Sequence, residues 1–278
     1  MNNAVKIYTF LIIVFILLFS ASASFGAPFN ILLELVAYAV PIFVGYLASR
    51  KFKREREEVA GVAEAESTLM GVSPKKLLAL SPVVMPTLAV IFLISYLTSL
   101  VLGVLGLSGT TVEDAPIIEM ILIHALVPAI TEEMLFRYIP MKLIAPYSKR
   151  ICAVISSAYF ALIHMNLFQL PYALLAGAIF IVIDLYADSV LPSLVLHILN
   201  NTVSILWIKY SASGEYVIGF VITLVALALL SLIPIILKRR EYLRSLREAL
   251  RSGETLTDRY APTLFIAFTL IMTLMNHL

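Results

Sequence analysis

Charge is scarce in this 278-residue chain. Asp, Glu, Lys and Arg make up 14% of it, against about 25% in an ordinary soluble domain, while 61% of the residues are hydrophobic. A soluble globular domain is excluded, and a polytopic membrane protein fits. The net charge of +2 is too small for a nucleic-acid binder, and the basic residues fall in short clusters between apolar runs, where membrane topology accounts for them. A single cysteine, Cys152, excludes an intramolecular disulfide and any multi-cysteine metal site. No HExxH and no GxSxG occurs, so neither a helical zinc-protease site nor a serine elbow is available.

What the chain does have is long apolar runs. A membrane-crossing helix needs about 20 mostly apolar residues, and such runs lie near 7–26, 28–49, 80–106, 116–144, 151–167, 172–187, 190–210, 217–237 and 261–278. They predict an all-α polytopic membrane bundle of eight or nine transmembrane spans. Residues 27–278 read as one membrane-embedded domain. Residues 1–26 read as a further span or a signal peptide, because Lys6 precedes "IYTFLIIVFILLF" and the small-residue stretch "SASASFGA" follows. The basic clusters "RKFKREREE" (50–58), Lys75 with Lys76, "SKR" (148–150) and "KRREYLRSLREALR" (238–251) fall on one side of the alternating spans, and the acidic loop "SGTTVEDAP" falls on the other. The basic side is expected to be cytoplasmic, with Lys209 the one exception. Residues 238–260 read as an amphipathic stretch on the membrane surface.

Against this background three charges in the 116–144 run stand out: Glu132, Glu133 and Arg137. A charge at bilayer depth costs about 2.5–3.5 kcal/mol on insertion scales, so it pairs, faces a cavity, or works. Glu133 and Arg137, at i and i+4 with the acid first, can pair on one helical face. Glu132, about 100° around the helix, has no such local partner. The following spans carry His164, then His197 with Asn201 at i+4. At about 1.5 Å per residue, Glu132 and His164 both fall roughly 20 Å from the basic end of their spans, while His197 and Asn201 fall at about 9–15 Å. Tilt or unwinding near Pro192 is required to close that gap. His124, with Pro128 after it, reads as a core residue, His277 as interfacial, and Asp184 and Asp188 as solvated helix-end groups. A glutamate and histidines in a membrane cavity can activate water, and an imidazole with an Asn amide can hold an oxyanion, which is the equipment of a protease or amidase. Zinc held by Glu132, His164 and His197 is the alternative. A transporter or binding protein using the same charges for a ligand or proton is another.

"EEMLFR" (132–137), "FALIH" (160–164) and "HILNN" (197–201), read as EExxxR, FxxxH and HxxxN, resemble in order and spacing the CAAX prenyl endopeptidase and bacteriocin-processing family, the type II CAAX proteases and their bacterial immunity relatives. The resemblance covers about 116–210 and includes the block "GAIFIVIDLYADSVLPSLVLHILNN", with Gly177 at a usual glycine. Asp188 and Ile181 depart from it, at positions where small residues or glycine are common. The resemblance implies a catalytic core at 116–210 in an all-helical bundle of the cell membrane, open to the cytoplasm. It also implies Glu132 as water-activating base, His164 as its partner, His197 and Asn201 as oxyanion stabilisers, and Glu133 with Arg137 as a supporting pair. No cofactor is implied on the glutamate-dependent view of the family, and zinc on the other. The implied partners are the lipid bilayer and a membrane-anchored peptide or protein of CAAX type, prenylated forms included. An immunity role is the alternative that the same resemblance leaves open.

Overall fold

The computed structural model describes residues 1–22, 24–26, 29–61, 71–105, 115–211, 217–238, 240, 241, 243 and 244. The expected span at 261–278, His277 and most of the 238–260 stretch lie outside the described residues. Eight helices make an all-α bundle without a strand among those residues: α1 (Asn2–Ser22), α2 (Phe29–Ala60), α3 (Pro74–Val104), α4 (117–143, with two π-helical segments), α5 (Lys149–Leu162), α6 (Leu170–Ala187), α7 (Leu191–Ser211) and α8 (Val217–Leu237). By length and hydropathy α1, α2, α3, α6 and α7 each qualify as a membrane span. Their outward faces carry large apolar side chains such as Phe43, Leu93, Leu100 and Val195. That perimeter would aggregate in water and suits lipid.

The core is built around α4. Ala4, Tyr8, Ile12, Phe15 and Ile16 of α1 pack with Leu135, Phe136, Ile139 and Leu143 of α4 and with Cys152, Ile155 and Tyr159 of α5. On its other side the first half of α4 runs against α7. The two π segments, Leu122–Leu126 and Met134–Tyr138, are each followed, one residue later, by a proline, Pro128 and Pro140. A proline offers no N–H and its ring crowds the carbonyl four residues back, and widening the turn relieves that crowding. In the second segment Pro140 cannot donate to Leu135 or Phe136, five and four residues before it. A carbonyl left open in lipid is costly. Tyr8 Oη donates to Leu135 O at 3.2 Å, and Ser156 Oγ donates to Phe136 O. Neighbouring helices thus repair the defect. His124 falls in the first π segment and is exposed rather than buried. The expectation of a core histidine fails because this stretch of α4 is left uncovered by the other described helices, with Leu122, Ile123 and Val127 exposed beside it.

Two departures from regular spans bring polar groups inward. The run expected to cross at 151–167 is helical only to Leu162. Its 14 residues reach about 21 Å, short of the ~30 Å hydrocarbon core. The chain then turns at Met165, which has φ 45°, and Phe168 N–H bonds Asn166 Oδ1 at 2.8 Å. The α6–α7 hairpin is the second departure. Asp188 closes α6 in the left-handed region at φ 55°, which explains why glycine suits that position and why Asp, tolerant of it, can replace glycine. Ala187, Ser189, Val190 and Ser193 are all buried, so the hairpin is recessed. Lys76 Nζ of α3 caps it by donating to Ala187 O at 3.2 Å.

Gly177 permits the closest α5–α6 approach. A Cβ there would lie 3.1 Å from Ser157 Cα and from Phe160 Cδ1, whereas one at Gly219 would meet nothing within 4 Å. Gly177→Val is therefore expected to destabilise the purified protein by about 1–3 kcal/mol, and Gly219→Val by much less. Thermal unfolding in detergent checks this, and equal losses at the two sites would contradict the packing described.

Candidate active site

Glu133 occupies the centre of a buried polar cluster. Its Oε2 lies 3.4 Å from Arg137 Nε, with both side chains out of reach of solvent. Its Oε1 lies 2.7 Å from His197 Nδ1. Ser193 Oγ is 2.6 Å from Glu133 Oε2 and also 2.6 Å from Asp184 Oδ2, and Ser193 N–H donates to Asp184 Oδ1 at 3.1 Å. A hydroxyl carries one proton, and two acceptor oxygens at that distance each require one. The Ser193 hydroxyl therefore links the two carboxyl groups.

Arg137 is 0% exposed and is held chiefly by ring faces. Its guanidinium carbon is 4.1 Å from the Phe160 ring centroid and 5.5 Å from that of Phe180. Its nitrogens make no hydrogen bond among the described residues. The charge of Glu133 and two aromatic faces thus stabilise a guanidinium that is otherwise expensive to bury.

Glu132, expected to lack a local partner, is 8% exposed. Its Oε2 has no hydrogen-bond partner among the described residues, and it stands 3.7 Å from His197 Nε2. Because Glu133 is an acceptor, Nδ1 of His197 carries a proton, which leaves Nε2 as the working nitrogen: a lone pair when the ring is neutral, a donor once it has taken up a proton. His164 follows the same pattern. Its Nδ1 is 2.7 Å from Phe160 O, a carbonyl orphaned by the end of α5, so Nε2 is again presented. His164 thus sits just past a helix end, not within a span as expected. Phe160 contacts both imidazoles, with ring centroids 5.0 Å from His164 and 5.6 Å from His197. Asn201, one turn beyond His197, accepts from Asn200 Nδ2 at 3.3 Å.

The depth gap anticipated for His197 is closed by the recessed hairpin, which starts α7 beside Asp184. Asp184, expected to be solvated, is fully buried, whereas Asp188 is exposed. Ser193 and Asp184 were the members missed by sequence reasoning. Ser193 had a signal, since Ser193, His197 and Asn201 repeat every four residues on one face of α7. Two imidazoles and a carboxylate have the donor chemistry that zinc takes. Among the described residues no three His, Cys, Asp or Glu side chains are grouped to hold a metal ion.

The fold and this cluster define a multi-pass membrane protein with a buried carboxylate–histidine site. Residues 114–203 match the family model of the Rce1-like type II CAAX prenyl endopeptidases. That segment carries Glu132, Glu133, Arg137, His164, Asp184, Ser193, His197 and Asn201. No curated protein and no solved structure matches the chain. The family match supports a membrane-embedded peptidase.

If Glu133 and Arg137 exist to neutralise each other, removing one strands a buried charge, at about 3–5 kcal/mol. Arg137→Met is expected to lower the unfolding temperature and the folded yield sharply, and Glu133→Gln added to it should recover part of the loss. A double variant as unstable as the sum of the two singles would show that the charges are not coupled.

Proposed function

We propose that the protein is an intramembrane endopeptidase that cuts membrane-tethered C-termini of CAAX type, prenylated ones included, with Glu132 as general base. The observation that carries this reading is the carboxylate of Glu132, with its Oε2 unbonded among the described residues and facing His197 Nε2 at 3.7 Å. A water bound there would donate its protons toward Glu132 and a ring nitrogen. Glu132 takes one proton as the water oxygen attacks the scissile carbonyl. The tetrahedral oxyanion is held by Asn201 and by His197, which takes no proton from the water and must enter the step already carrying one on Nε2, with Glu133 supporting the imidazolium. Collapse breaks the C–N bond, and the proton returns through Glu132 and His164 to the leaving amine.

Asp184 and Ser193 keep Glu133 oriented, and Glu133 in turn orients His197, as carboxylates orient histidines in hydrolytic sites. No step in this scheme uses a metal. The basic ends of α2, α4 and α5, together with the start of α3, mark the cytoplasmic side, so we place the site in the cell membrane with access from the cytoplasm.

The test is to incubate the purified protein with a farnesylated CAAX peptide and its unprenylated counterpart, with and without a chelator, and to read the products by mass spectrometry. Release of the last three residues, unaffected by the chelator, is expected. Abolition by the chelator would overturn the metal-free step. Absence of cleavage alongside proton-coupled solute uptake into vesicles would replace the proposal with the transport reading.

A further inference from the structure

A second site lies apart from the Glu–His cluster, at the basic end of the bundle. There a cavity of about 590 Å³ is lined by six cationic side chains, Arg50, Lys53, Arg54 and Arg56 of α2, Lys142 of α4 and Lys149 of α5, against two carboxylates, Glu57 and Asp188. None of Glu132, His164 and His197 lines it. Lys53 pairs with Glu57 at 3.7 Å, and Arg50, Arg56 and Lys142 also touch the rings of Tyr46, Tyr147 and Tyr138 at 6.0, 5.3 and 5.5 Å.

The cavity's depth can be read from α2. Phe43, Val44 and Leu47 face outward as an apolar strip, and within one turn of Leu47 the helix becomes cationic at Arg50. That change marks the edge of the hydrocarbon region, and Tyr46 and Tyr138 of the cavity lining occupy the interfacial level such rings prefer. An anion arriving there meets cations from three helices, and the one group present at that depth in quantity is the phosphodiester of a phospholipid.

We infer that this cavity, formed by the ends of α2 and α4 and the start of α5, binds the headgroup of an anionic phospholipid. A basic pocket between transmembrane helices at the headgroup level has the charge and position for that ligand, and its cations reinforce one another over less than a Debye length. This assignment stands independently of the peptidase reading.

The test is native mass spectrometry of the full chain, reconstituted in nanodiscs of phosphatidylglycerol and phosphatidylcholine in equal amounts and then released. The wild type should retain phosphatidylglycerol in preference. Arg50→Gln with Arg54→Gln, both exposed positions whose loss leaves the core untouched, should reduce that preference by roughly fivefold for each cation removed. Lys51→Gln with Arg150→Gln removes the same charge outside the cavity lining and should reduce it far less. Equal reductions in the two variants would mean diffuse surface attraction, and no reduction in either would mean no site; both overturn the inference. Displacement of the lipid by millimolar inorganic phosphate would also overturn it, by showing a site for free anions.

Discussion

The contact on which the rest of the site depends is the buried carboxylate of Glu133. It touches Arg137, His197 and Ser193 at once and therefore ties α4 to α7 and, through Asp184, to α6. Burying such a carboxylate costs several kcal/mol unless charge and hydrogen bonds offset it, and here a guanidinium, an imidazole and a hydroxyl all do so. The same contacts fix which nitrogen of His197 is available. Glu132, the next residue but on another face of the helix, is left without that support. Two adjacent glutamates thus stand in different surroundings, Glu133 with partners on both oxygens and Glu132 with Oε2 unbonded among the described residues.

Backbone irregularity around the cluster follows from the same constraint. Non-helical backbone is tolerated at membrane depth where protein satisfies it. The π turn at Met134–Tyr138 is repaired by Tyr8 and Ser156, the stop after Leu162 is capped by the His164 ring, and the start of α7 is capped by Asp184. In each case a side chain that completes the backbone also forms or borders the candidate site.

The helical class was legible in the apolar runs, and the pairing of Glu133 with Arg137 in their spacing. The scarcity of charge made Glu132 conspicuous. Asp184 was misread because its position near the end of a span suggests solvent, and only the recessed hairpin shows otherwise. Tyr8 and Ser156 lie 127 and 20 residues from the carbonyls they satisfy, a distance that no local pattern reports. His124 was misplaced because the sequence does not show which stretch of α4 the other helices leave uncovered, and the early end of α5 had only the weak turn signal of Asn166.

The central claim is that Glu132 performs the chemistry while Glu133 holds the site together. It is tested most directly by the turnover of Glu132→Gln on the farnesylated peptide, measured per folded molecule with the unfolding temperature recorded beside it. The amide keeps the size and loses the base, so the account requires a fall of about 10²–10⁴-fold with the unfolding temperature held or raised, because a buried carboxylate whose Oε2 has no hydrogen bond among the described residues has been exchanged for a neutral group. A folded Glu132→Gln protein that cleaves within a few-fold of the wild type would contradict it.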